Sequence, residues 1–266
     1  MELELLTIIK NELMEDKKIC YAFIIKREGS SPRGIGTSMV IKENGEFFGT
    51  VGGGKVEFAT IAAAKQCIKE ETSKTISLDI YFEENGEKTC TGKVEIFIKI
   101  YMPQKKLIIA GAGNVAYCLY KFADLSGFSV YVFDDREDLL TKERYPKAAK
   151  LIYGKISDTI KSYDLDKNSF VVITSGSTKS DENILKEVIT KNTAYVGMLG
   201  SKNKISTIMD NLLRQNIDIE CLKKVYAPIG IGIGGETPEE VALSILSEIV
   251  LIKNNGSLEH LKDAKK

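Results

Sequence analysis

Residues 105–138, KKLIIAGAGNVAYCLYKFADLSGFSVYVFDDRED, constrain the fold more than any other stretch. An apolar run enters Gly111-Ala112-Gly113, a helical pattern follows with Ala116 where a dinucleotide-binding fingerprint admits Gly or Ala, and a second apolar run ends in Asp134. Each position has a physical task. Gly111 permits the tight turn, Gly113 lets backbone approach a pyrophosphate, and Ala116 lets the helix lie close to the strand. The helix start at Asn114 presents unpaired N–H groups and a positive dipole end to phosphate. Asp134, with Asp135 beside it, is placed to accept hydrogen bonds from a ribose diol, and an acid there disfavours a 2′-phosphate. Gly111, Gly113, Asn114, Asp134 and Asp135 are therefore the expected cofactor-binding residues of this segment, with NAD or another unphosphorylated adenosine expected in preference to NADP. The bland alternative is a scaffold that keeps its turn and binds no nucleotide.

From residue 103 to residue 266, short apolar runs alternate with helical segments, the pattern of a parallel sheet covered on both faces. The segments are KLIIAG, AYCLYKFADLSG, SVYVFDD, AAKLIYG, SFVVITSG, SDENILKEVITK, AYVGMLG, KNKISTIMDNLLRQ and TPEEVALSILSEIVLIKN. Residues 1–102 read differently. A helix over 2–15 precedes an apolar strand, a hairpin is signalled by Asn44-Gly45, a helix opens after the triple glycine, and two alternating strands follow. The expected fold class is α/β: a small mixed α+β N-terminal domain built on a mixed sheet, then a Rossmann-like doubly wound parallel sheet domain. With 266 residues, 43% of them hydrophobic, the chain is long enough to bury such cores.

The bulk numbers exclude several classes. Thirty-seven basic and thirty-seven acidic residues cancel, with no long block of either sign, so neither a nucleic-acid partner nor a membrane surface is expected. The five cysteines are scattered and form no CxxC pair, against a disulfide framework or zinc knuckle. No signal peptide or membrane span is read, and the expected location is the cytoplasm.

The stretch GTVGGGKVE, residues 49–57, matches the first seven positions of a P-loop. Val56 stands where the magnesium-ligating Ser or Thr belongs, so nucleotide hydrolysis is not expected. What remains is a cradle of bare amides at a helix start, with Gly52, Gly53, Gly54, Lys55 and Glu57 as candidate residues, against a turn that merely caps the helix. A second glycine-flanked loop, GSSPRGIG, holds Ser30, Ser31 and Arg33, which suit a phosphate or carboxylate. A third cluster, APIGIGIGGETPEE, contains Thr237, Pro238 and Glu240 as a capping box with proline at the first helical position. Cys90 reads as a small buried thiol or a sulfur-handling one. His260, the sole histidine, lies in a polar tail, so no His-based catalysis or metal site is assigned.

Taken together, GSSPRGIGTSMVI, GTVGGGKVE, LIIAGAGNVA, VFDDRED, YVGMLGSKNK and YAPIGIGIGGETPEEVALSILSEI closely resemble, in order and spacing, the xanthine dehydrogenase accessory protein family, XdhC/CoxI. The resemblance covers nearly the whole chain. It implies a homodimer that binds molybdenum cofactor, assists its sulfuration and delivers it to a molybdenum hydroxylase such as xanthine dehydrogenase, with a cysteine desulfurase as a further partner. Three positions depart from the family pattern. Lys55 follows the glycines where many members have Cys, TSGSTKSDEN replaces a His-containing segment, and Tyr226 stands where His is usual. CTGKVEIF resembles the family's CGG-type turn, which makes Cys90 the better sulfur or molybdenum contact. Two other readings compete: an NAD-dependent oxidoreductase with substrate held by the small domain, and a nucleotide-sensing regulatory module. No convincing proton donor stands beside the nucleotide motif, so no catalytic residue is assigned and a non-catalytic chaperone is favoured.

Overall fold

The structure, a computed structural model, describes residues 2–29, 33–84 and 87–263, with the backbone alone for 81–84 and 87–91. The chain divides into two compact units, Met1–Gln104 and Lys105–Lys266.

The first unit runs α1 (Glu2–Met14), β1 (Ile19–Gly29), β2 (Ser38–Lys42), β3 (Phe47–Gly49), α2 (Gly54–Glu70), β4 (Lys74–Glu84) and β5 (Glu87–Tyr101). Its sheet has the order β3-β2-β1-β5-β4, and every pair is antiparallel, where the sequence reading expects a mixed sheet. The cause lies in the connections. Chain reversals join β1 to β2, β2 to β3 and β4 to β5, while α2 carries the chain from the β3 edge to the β4 edge. The expected Asn44-Gly45 turn is present, with Gly45 at φ +88° and the Asn44 side chain accepting from the Glu46 amide at 2.9 Å. Val56, Thr60, Ala64 and Cys67 form one face of α2, and its apolar members pack on Cys20, Ala22 and Ile24 of β1. Leu5 and Ile9 of α1 pack with Ile19 and Val40, residues of the opposite strand parity.

The second unit contains β6 (Lys106–Ala110), α3 (Asn114–Leu125), β7 (Ser129–Asp134), β8 (Lys150–Tyr153), α4 (Ile156–Lys161) and β9 (Ser169–Ile173). There follow α5 (Thr178–Val188), β10 (Tyr195–Met198), α6 (Lys202–Arg214), α7 (Ile219–Leu222) and α8 (Pro238–Lys253). All strand pairs are parallel, in the order β10-β9-β6-β7-β8. The order reverses between β6 and β9, the switch point at which open α/β sheets bind ligands. Strand residues alternate between two cores. Leu107, Ile109, Val130, Val132 and Val172 face α3 and α8, while Ile108, Ala110, Phe133, Val171 and Ile173 face α4, α5 and α6. This is the doubly wound arrangement that the continuous apolar runs predict. The short α4 and α7 lack enough turns to show a helical period and escape the sequence reading.

The capping box of α8 forms as its spacing predicts. The Thr237 side chain accepts from the Glu240 amide at 3.2 Å, and Glu240 accepts from the Thr237 amide at 3.1 Å. No helix among the described residues is long and apolar enough to cross a membrane.

Ile109 is fully buried in the β6 layer, whereas Leu125 is 82% exposed at the end of α3. Urea denaturation is expected to show Ile109→Ala losing about 3 kcal/mol and Leu125→Ala changing stability by less than about 0.5 kcal/mol.

Candidate functional site

The turn after β6 uses its two glycines for different reasons. A Cβ on Gly111 would lie 2.5 Å from the Thr174 carbonyl oxygen and 2.8 Å from the Ser175 nitrogen, and φ is +119°. Close approach of the β6 and β9 ends therefore demands glycine there. Gly113 has φ −68°, and a Cβ on it would meet no atom within 4 Å. The fold alone does not require glycine at this position. Gly113 is the N-cap of α3 and supplies no side-chain cap, whereas Ser177, Ser201, Asp218 and Thr237 cap α5, α6, α7 and α8. The first-turn amides of α3, beginning with the exposed Asn114, keep their donor capacity and positive dipole end. A pyrophosphate fits this cradle, in the open space that a side chain at Gly113 would fill.

Between the glycines, Ala112 is held on both sides. Its amide donates to Asp134 Oδ2 at 2.5 Å, and its carbonyl accepts from the Tyr145 hydroxyl at 3.3 Å and from Arg144 Nη2 at 3.4 Å. The Arg144 guanidinium lies 4.6 Å from the centroid of the Tyr117 ring. Asp134 is 1% exposed. Besides Ala112, it accepts from the Arg136 amide at 2.9 Å and from Arg136 Nε and Nη2, each at 2.8 Å. Those four bonds match the roughly four lone-pair positions of a carboxylate. Burial pushes the Asp134 carboxyl up, but the Arg136 side chain and the backbone amides outweigh it and hold the group below the usual carboxylate range.

Asp134 thus stands at the end of β7 as the fingerprint requires, yet its oxygens face the turn and Arg136. Asp135 is exposed beside it. Arg136, Arg144, Tyr117 and Tyr145 are absent from the sequence-derived candidates. Arg136 is legible as the basic residue two places beyond the acid, while Arg144 and Tyr145 lie in a segment with no strand or helix period to place them.

Two further carboxylates tie loops of the second unit to its helices and strands. Fully buried Asp181 accepts from the Ser175 amide at 3.1 Å and its hydroxyl at 2.5 Å and pairs with Lys204, tying the β9–α5 loop to α6. Glu248 accepts from the Tyr195 hydroxyl at 2.5 Å and the Gly230 amide at 3.1 Å, which fixes the start of the third glycine cluster. Burial and the Glu248 contact push the Tyr195 phenol upward, so it is a neutral donor.

In the first unit, the glycine loop before α2 already holds an anion of its own. Glu57 Oε1 accepts from the Gly53 amide at 3.1 Å and from the Thr50 hydroxyl, and Thr50 Oγ1 accepts from the Gly52 amide at 3.2 Å. Glu57 thereby sits at the positive end of α2. Gly54 and Lys55 remain exposed in the first turn, and Val56 is buried toward the sheet. Arg33 and Thr50 line one pocket of about 360 Å³ together with Glu2, Thr37 and Ser38, while Gly52, Gly53, Gly54, Lys55 and Glu57 are not among its lining residues. Ser30 and Ser31 lie outside the described residues. The Cys90 backbone pairs with Tyr81, and its side chain also lies outside them. Burial pushes the Cys20 thiol up to about 12 and raises Cys67 and Cys118 as well, so these three are packing residues rather than thiolates.

Gly111→Ala is expected to cost about 3 kcal/mol in chemical denaturation. Gly113→Ala is expected to leave stability within about 0.5 kcal/mol and to weaken binding of any phosphate-bearing ligand at the turn. The depressed Asp134 carboxyl contributes stability above the unfolded-state value of about 3.9, and that contribution is lost as pH falls through its lower folded value. Urea titrations at a series of acidic pH values should therefore show a flatter acid limb for Asp134→Asn than for the parent chain.

Comparison with known proteins agrees with this geometry. Residues 107–249 match the XdhC Rossmann domain and residues 13–79 match the XdhC and CoxI family. Among curated relatives, the uncharacterized protein YqeB of Escherichia coli is 29% identical over 240 residues, covering 88% of this chain and 43% of that protein. A Bacillus subtilis protein described as a probable subunit of xanthine dehydrogenase is 30% identical over 155 residues, covering 58% of this chain and 45% of that protein. The chain thus spans less than half the length of these relatives. A crystal structure described as a xanthine dehydrogenase from Bacillus halodurans shares the fold, with a TM-score of 0.54 at 22% identity over 95% of this chain and 96% of that one. With over half of its length matched by the Rossmann domain of that family and its first unit by the family's other domain, the chain belongs to the XdhC and CoxI family.

Proposed function

We propose that the protein is an accessory factor in the maturation of a xanthine dehydrogenase-type molybdenum hydroxylase, carrying molybdenum cofactor as cargo, assisting its sulfuration and passing it to the enzyme. The observation that carries this reading is the meeting of Arg33 and Thr50 at one pocket, with Thr50 bonded to the Glu57 that closes the glycine loop. Molybdopterin has a phosphate at one end and an N–H-rich pterin edge at the other. Arg33 and exposed Lys55 suit the phosphate, and the Glu57 carboxylate suits the pterin donors. Family membership in both units supports the same assignment. So does the Bacillus subtilis relative, whose name places it with xanthine dehydrogenase.

In this reading Cys90 is the residue that meets sulfur or molybdenum, a cysteine desulfurase supplies the sulfur, and the protein acts as a homodimer in the cytoplasm. The role is binding and transfer rather than catalysis.

The test is to purify the full chain from cells that make molybdenum cofactor, oxidise the released pterin to its fluorescent form, and measure activation of a cofactor-free molybdenum hydroxylase. Pterin should co-purify, and Arg33→Ala should retain several-fold less. A parent chain that carries no pterin and does not accelerate activation overturns the proposal.

A further inference from the structure

We infer that the Rossmann unit prefers a 2′-phosphorylated adenine dinucleotide of the NADP class over NAD, with Arg136 as the specificity-determining contact. This goes beyond the molybdenum reading and rests on the second unit alone.

The fingerprint places the pyrophosphate over the start of α3 and the adenosine ribose at the end of β7. A ribose diol needs an open acceptor there. Asp134 has none, since Ala112 and Arg136 take all four of its acceptor positions and it is 1% exposed. To serve a diol, it would have to release either the amide that shapes the turn or the guanidinium that balances its charge. A 2′-phosphate needs cationic donors instead. A guanidinium carries five N–H groups, and only Nε and Nη2 of Arg136 bond to Asp134. The Arg136 side chain is 50% exposed, and its remaining donors form a fork suited to phosphate oxygens. Arg144 adds a second guanidinium at the other flank of Ala112, held over the Tyr117 ring.

Asp134 is then a positioning residue: it aims Arg136 rather than touching the ribose. The exposed Asp135, Glu137 and Asp138 neighbour this arginine in sequence, and Asp135 and Asp138 act on its charge. Their charge opposes loose attraction of anions, so selection depends on directed hydrogen bonds rather than on local net charge.

Calorimetric titration of the full chain with 5′-AMP, 2′,5′-ADP, NAD and NADP tests the inference without any assay of activity. The parent chain should bind 2′,5′-ADP about tenfold more tightly than 5′-AMP, and NADP more tightly than NAD by a similar factor. Arg136→Gln should remove that preference and, by freeing Asp134 oxygens, bring NAD affinity up toward that of NADP. Equal affinities, a preference for the unphosphorylated partner, or no binding of any of the four by the parent chain overturns the inference. The parent-chain comparison needs no variant, so a misfolded Arg136→Gln leaves the inference testable. Pterin co-purification is a separate measurement, so either proposal can fail while the other stands.

Discussion

The peptide at Ala112 is bonded from both sides, and the site-bearing end of the second unit is organised around that grip. The close approach of Gly111 to Thr174 brings the turn into the sheet, where an unpaired amide is costly. Asp134 satisfies that amide, and a buried carboxylate in turn needs a counter-charge, which Arg136 provides. On the carbonyl side, Tyr145 and Arg144 draw an otherwise irregular segment against α3. Each element of the site is thus fixed by the need to pair one backbone group, and the free amides of α3 are left pointing outward.

The two glycine-rich helix starts look alike in sequence and differ in physics. Before α3, the N-cap Gly113 makes no side-chain cap and leaves space beside the helix end. Before α2, Glu57 and Thr50 already accept from the glycine amides, so an external anion there competes with a tethered carboxylate. The effective concentration of that carboxylate is high because it sits on the helix whose end it caps. Arg33 stands apart from that closed loop, at the rim of the pocket it shares with Thr50.

The strands and helices of the second unit were legible because β6, β7, β9 and β10 are buried on both faces and α3, α5 and α6 have a clear period. Thr237 and Glu240 announced their own cap. The strand directions of the first unit were less accessible, since pairing β5 beside β1 joins residues as far apart as Ile19 and Tyr101 rather than following any local pattern. Side-chain destinations were harder still. Asp134 was found at the right place in the chain, yet its bonding depends on Arg136 and Ala112, two residues that share its space only after the turn has formed. Glu57 is a candidate residue in the sequence, but its bonds to Gly53 and Thr50 within the loop depend on the folded turn.

A fingerprint of this kind specifies the phosphate end of a ligand more firmly than the ribose end. Amides at a helix start are a backbone property, present whenever the turn is made, and at α3 the N-cap glycine leaves them without a side-chain cap. The ribose contact is a side-chain property that depends on how many donors reach one carboxylate. Where two reach it, an acid reads as an acceptor for a diol. Where four reach it, as at Asp134, the acid becomes part of the wall, and the selective contact passes to the partner that still faces outward. The identity of the residue at the end of β7 is therefore insufficient to assign nucleotide preference, because the donors already bonded to it decide whether it can take another.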